Sequence, residues 1–252
     1  MDQPTTRKNA RIDVADVLRG LAVMGIIVLH SIEHFNFGSY PDTSAQSAWL
    51  NFTDKAIWDG LFFMFGGKAY AVFALLFGFS FFIQDNNQQM KGKDFRLRFC
   101  WRLVLLFLFG NLNASFFTAE VLVLYSLVGF ILVPTCRLSD KTVLILACLL
   151  LIQPLPLYYT LRATFDPTYT PLTIPTRELW MTTYQSQMNG TFLETLRTNL
   201  WEGQLASLAW AWDHGRVFQT AALFLLGMLA GRRRLFLQEA LPVWNKICAG
   251  AS

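Results

Sequence analysis

Long apolar runs separated by short polar segments dominate this chain. A run of about 20 apolar residues matches the hydrocarbon thickness of a bilayer. The pattern predicts an all-α, polytopic membrane protein with about six transmembrane helices. The spans are expected near 14–36, 57–84, 99–117, 119–135, 142–161 and 215–232. Asn111 to Ser115 reads as a tight turn between the third and fourth spans, which makes them a helical hairpin. Pro154 and Pro156 should kink the fifth span or end it early.

The long connection 162–214 begins Pro-rich at Pro167, Pro171 and Pro175. It then turns helical in character, with Leu193, Leu196, Leu200, Leu208 and Trp212 near helical spacing. With Trp180, Trp201 and Trp210 it reads as one or two helices lying in the outer interface. The pattern gives one integral-membrane domain over 1–252, without internal repeats.

Composition supports this reading. Of 252 residues, 54% are hydrophobic and only 15% charged, against about 25% charged in soluble domains. Basic residues cluster between apolar spans rather than on a soluble face, so no nucleic-acid partner is expected. Their distribution also sets an orientation. Arg7, Lys8, Arg11 and Arg19 precede or open the first span, and Lys91, Lys93, Arg96, Arg98 and Arg102 follow the second. Arg137 and Lys141 follow the fourth, and Arg232, Arg233, Arg234 and Lys246 the sixth. Only Lys55, Arg162, Arg177, Arg197 and Arg216 fall on the other side. This bias, roughly three to one, places both termini in the cytoplasm.

The N-terminal apolar stretch holds Asp16 and Arg19 and lacks a small-x-small cleavage site, so it is not expected to be a cleaved signal peptide. Cys100, Cys136, Cys148 and Cys248 show no paired spacing and are expected to be free thiols.

Ionisable residues inside the spans are the candidates for chemistry, because they are costly in a bilayer. Arg19 and His30 are eleven residues apart. On a helix they share a face, separated by about 16 Å along the axis. Asp16 lies on the same side and pairs with Arg19 at i,i+3 or leaves it to bind an anionic group. His30, near the midplane, is a candidate general base or a hydrogen-bonding contact between helices. Lys68 follows Gly66 and Gly67 inside the second span, where the glycines permit close approach or a local break. It is expected at His30's depth, facing inward, where it would stabilise an oxyanion. The reversed zinc-protease pattern His30-Ser-Ile-Glu33-His34 lacks a third ligand, so no metal is expected.

Four stretches carry a resemblance. Arg11-Ile-Asp-Val-Ala-Asp16-Val-Leu-Arg19-Gly-Leu-Ala-Val-Met-Gly-Ile resembles the N-terminal signature of YeiB-like bacterial inner-membrane proteins. Gly67-Lys68-Ala-Tyr-Ala-Val-Phe73-Ala-Leu-Leu-Phe77-Gly78-Phe resembles their second. The stretch from Gly110 through Glu120 and Tyr125 to Gly129, and Leu225 to Arg232, resemble the third and fourth. That family looks related to transmembrane acyltransferases, including acyltransferase-3 proteins and heparan-glucosaminide acetyltransferase. The first of these carries Arg-x10-His in its first helix. The resemblance implies acyl transfer from cytoplasmic acyl-CoA, the donor substrate, to a lipid or glycan acceptor. It implies His30 as base or acyl relay and Arg19 as a donor-side contact; with them, Lys68 is the second catalytic candidate, and Asp16 and Glu120 are further substrate-binding candidates. It also implies that the chain lacks the C-terminal spans of longer relatives. The polar line across the first helix equally suits a transporter or flippase of an anionic molecule, or a non-catalytic membrane protein.

Overall fold

The computed structural model of the protein describes residues 13–35, 46–118, 120–166, 168–169 and 174–235. Among them the regular structure is helical throughout, with no strand. Four helical stretches are long and apolar enough to cross a membrane: Val14–Ile32, Ala48–Gln89, Arg96–Phe116 and Asp140–Phe165. This fits a helical membrane protein. The chain falls into two compact units, Phe77–Leu229 and the remainder, Met1–Leu76 with Ala230–Ser252.

The smaller unit contains α1 (Asp13–Phe35), α2 (Ala48–Phe65) and the first turns of α3 (Lys68–Gln89). Ser47 caps α2, its side chain accepting from the Leu50 amide. The second expected span is therefore two helices. Together α2 and α3 cover 42 residues, about 63 Å of helix and twice the hydrocarbon thickness. The break comes at Gly66 and Gly67. Gly67 has φ +68°, a conformation that costs glycine little and other residues much. Where α1 meets α2, Gly25 faces the Phe65 ring: a Cβ added at Gly25 would stand 2.5 Å from Phe65 Cδ1.

The larger unit holds most of α3, then α4 (Arg96–Phe116), α5 (Leu122–Gly129), α6 (Leu132–Thr135), α7 (Asp140–Leu151) and α8 (Pro154–Phe165). Next come α9 (Thr176–Asn189), α10 (Phe192–Thr198), a π-helical turn (Asn199–Gly203), α11 (Gln204–Asp213) and most of α12 (Arg216–Arg232). Asn111 to Ser115 lie inside α4, so the reversal comes later, after Phe116. The Asn and Ser side chains read as turn-formers instead bond back along α4: Asn111 donates to the Phe107 carbonyl and Ser115 to the Asn111 carbonyl. The expected hairpin survives, because Gly110 lets α4 lie against Val123 of α5. The expected fourth span is the short pair α5 and α6, and the fifth is α7 and α8. Pro154 disfavours helical backbone at Gln153, which adopts φ 54°, ψ 62° and separates α7 from α8.

Rings fill the centre of this unit. Phe77 stacks on Phe224 at 4.6 Å, Tyr125 meets Phe224 edge-on at 5.2 Å, and Phe81 meets Phe99 at 4.4 Å. In a bilayer, lipid tails are as apolar as such a core, so helix association depends on close packing and polar contacts. Gly78 supplies the closest approach: a Cβ there would overlap the Phe224 backbone carbonyl.

Candidate functional site

Arg19 and His30 lie on one unbroken helix, α1. Ala15 and Ala22 are buried, and Val17 and Leu21 are exposed at 69% and 49%. At 100° per residue, Arg19 and His30 both fall within about 60° of Ala15, on the buried side. Both are half-buried, as is Asp16. Arg19 Nη1 donates to Asp16 Oδ1 at 2.8 Å, so the i,i+3 pair is formed. With each side chain about 40% exposed, the pair contributes little stability by itself. It holds the guanidinium at the start of the helix. Glu33 and His34 belong to α1, but their side chains lie outside the described residues.

Lys68 occupies a different setting from the inward-facing one expected. It is the first residue of α3, just past the glycine break, and is exposed. Its ammonium donates to the Phe63 carbonyl and stands 4.3 Å from the Phe63 ring centroid. The physical reason is local. The last carbonyls of α2 have no helical partner, and a cation there satisfies one of them and the helix dipole. The Gly25–Phe65 contact brings this turn against α1 five residues before His30, while the Lys68 side chain turns back along α2.

Glu120 lies in the larger unit, on the link between α4 and α5, and is 7% exposed. Asn113 Nδ2 donates to its Oε2, and the Leu122 amide donates to Oε1 at 2.5 Å. The carboxylate thus joins the end of α4 to the first turn of α5. Beside this link lies a polar cluster that sequence reasoning missed. Buried Asn199, in the π-helical turn, donates to the Ser115 carbonyl at 2.9 Å and accepts from Gln187 at 3.1 Å. A Cβ on Gly203 would stand 3.1 Å from Thr118 and 3.3 Å from Thr183, so the turn packs directly on both segments. Gln204 follows, 7% exposed, and neither atom of its carboxamide has a hydrogen-bond partner. The available signal was a run of amide side chains (Gln185, Gln187, Asn189, Asn199, Gln204) in a segment otherwise read as interfacial.

At the α3–α4 turn, Arg96 contacts Asp94 at 2.6 Å and Arg137 approaches it at 4.0 Å. Hydrogen bonds from the Arg96 side chain and backbone lower the Asp94 carboxyl to about 2. Arg102 donates to Gln84, tying α4 to α3. Cys100, Cys136 and Cys148 are in no disulfide among the described residues; Cys248 lies outside them. Among the described residues, no three His, Cys, Asp or Glu side chains come together as metal ligands.

No family model matches the chain, and no solved structure does. The chain is similar to YxaH, an uncharacterised protein of Bacillus subtilis (strain 168), at 36% identity over 154 residues. That alignment covers 58% of this chain and 37% of YxaH. It is also similar to an uncharacterised 39.9 kDa protein from the amylase 3′ region of Bacillus acidopullulyticus, at 26% identity over 142 residues. Here 56% of this chain and 39% of the relative are covered. The matched region thus spans well under half the length of either relative.

Proposed function

We propose that the chain is a membrane-embedded acyltransferase moving an acyl group from cytoplasmic acyl-CoA to a hydroxyl or amine on a lipid or glycan. The observation that carries this reading is the arrangement on α1. A basic side chain at the helix start and an imidazole eleven residues on share the buried side of one unbroken helix. In this reading the chain sits in the bacterial inner membrane with six spans and both termini inside, as the Lys and Arg distribution suggests. Residues 176–213 then lie at the outer interface.

The chemistry assigned to α1 is simple. Neutral His30 accepts the proton of the acceptor hydroxyl or amine as that group attacks the thioester carbonyl. The new C–O or C–N bond forms, the C–S bond breaks, and the coenzyme A thiolate leaves and takes up the proton. Arg19 exchanges its Asp16 contact for an anionic group of the donor. The Phe63 carbonyl already engages Lys68, so its role here is the α2 terminus, and the oxyanion is left to other donors.

Membrane vesicles containing the chain, given acyl-labelled acyl-CoA, test the reading. Label in lipid or glycan that depends on the chain supports it. Passage of an anionic solute across the vesicle membrane without chemical change replaces it with the transporter reading.

A further inference from the structure

Gln204 is the most anomalous side chain among the described residues. Its carboxamide is buried, and both Nε2 and Oε1 are without partners. An amide carries two N–H donors and a two-lone-pair acceptor. Leaving such a group unpaired in the interior is unfavourable, because its lost hydrogen bonds to water are not replaced. Polar residues lie on the adjoining turn and on the segments it packs against. Gly203, one residue earlier, packs on Thr118 and Thr183, and Thr118 is two residues from buried Glu120. Asn199, at the start of the same π-helical turn, is already bonded to Ser115 and Gln187. Single π-helical turns within α-helices recur at functional sites, because the wider turn redirects the side chains around it.

We propose that this cluster is a binding site for a neutral, hydroxyl-bearing ligand, a sugar or polyol, with Gln204 as its principal contact. The choice of class follows from the amide. A hydroxyl both donates and accepts, so one hydroxyl can serve Oε1 and an adjacent one Nε2. A carboxylate could answer only Nε2, and a cation only Oε1. Trp201, three positions before Gln204, is 69% exposed and gives the segment a fluorescent reporter. This binding proposal stands apart from the acyl-transfer reading and does not rest on it.

The test is binding without turnover. The full chain in nanodiscs is titrated with D-glucose and with N-acetyl-D-glucosamine, following tryptophan fluorescence, with acetate and choline as controls. A saturable response to a sugar and none to the ions is expected. Gln204→Leu should weaken that response about tenfold or more, because the site loses both amide bonds. It should also melt no lower than the parent, since an unsatisfied group is removed. If the Leu variant misfolds, Gln204→Met, closer in shape, takes its place. A flat sugar titration, equal affinity in the variant, or a saturable ion response overturns the proposal. Sugar binding without acyl transfer leaves it standing and refutes only the proposed function.

Discussion

Lys68 reaches back across the Gly66–Gly67 turn, its ammonium bonded to the Phe63 carbonyl and 4.3 Å from the Phe63 ring centroid. The lysine that looks most anomalous in the apolar sequence thus has a local partner. Lys68→Met should lower thermal stability modestly, by about 0.3–1 kcal/mol, the usual scale for a cation at a helix C-terminus. Lys68→Arg should recover part of the loss. Neither should abolish acyl transfer. Full loss of transfer at unchanged melting temperature would return Lys68 to the reaction centre.

Gly78 tests the packing of the larger unit. Any Cβ there meets the Phe224 backbone, which cannot swing aside as a side chain can. Gly78→Ala should destabilise by about 1–3 kcal/mol, as overpacking does. Gly20→Ala on α1, with nothing within 4 Å, should be neutral or should stabilise by about 0.5–1 kcal/mol. Melting curves of the two variants in the same detergent give the comparison, and equal effects would contradict the described α3–α12 contact.

Asp94 gives a pH-dependent signature at the α3–α4 turn. Its folded pKa is depressed to about 2, chiefly by the Arg96 side-chain hydrogen bond. A depressed carboxyl contributes stability above its unfolded pKa, and loses it as pH falls through the folded value. The window therefore runs from the ordinary carboxylate range down to about 2. NMR titration of labelled aspartate should find Asp94 still ionised at pH values where exposed aspartates are protonated. Arg96→Gln should move it back towards them. An Asp94 that titrates with the others in the parent chain contradicts the contact.

Orientation is open to labelling. In a cysteine-free background, Lys93→Cys should react with an impermeant maleimide only from the cytoplasmic side, and Asn189→Cys only from outside. Reaction of both from one side would overturn the assignment of 176–213 to the outer face.

The all-helical class was legible from apolar run lengths, and α1 was legible almost residue by residue. The ion pair of Asp16 and Arg19 was one of the two arrangements that their i,i+3 spacing offered. Helix interruptions were legible where a residue forces them, as Pro154 does at Gln153. They were less so at Gly66 and Gly67, because glycine permits a break without requiring one. Asn111 to Ser115 misled for a related reason: those side chains favour turns, yet can equally bond to carbonyls four residues back in a helix. The cluster around Asn199 and Gln204 was hidden because it depends on packing between segments far apart in sequence. Glu120 was singled out through a resemblance, but its partner Asn113 was read only as part of a turn, and Asn199 and Gln187 were not singled out.

The account turns on His30. The most direct measurement is acyl transfer from labelled acyl-CoA by His30→Ala, compared with the parent chain at equal amounts of inserted protein. The imidazole is assigned as general base, a role commonly worth about 10²–10⁴ in rate. A loss of that size with normal insertion and melting is the predicted result. Transfer at the parental rate in His30→Ala would contradict the central claim.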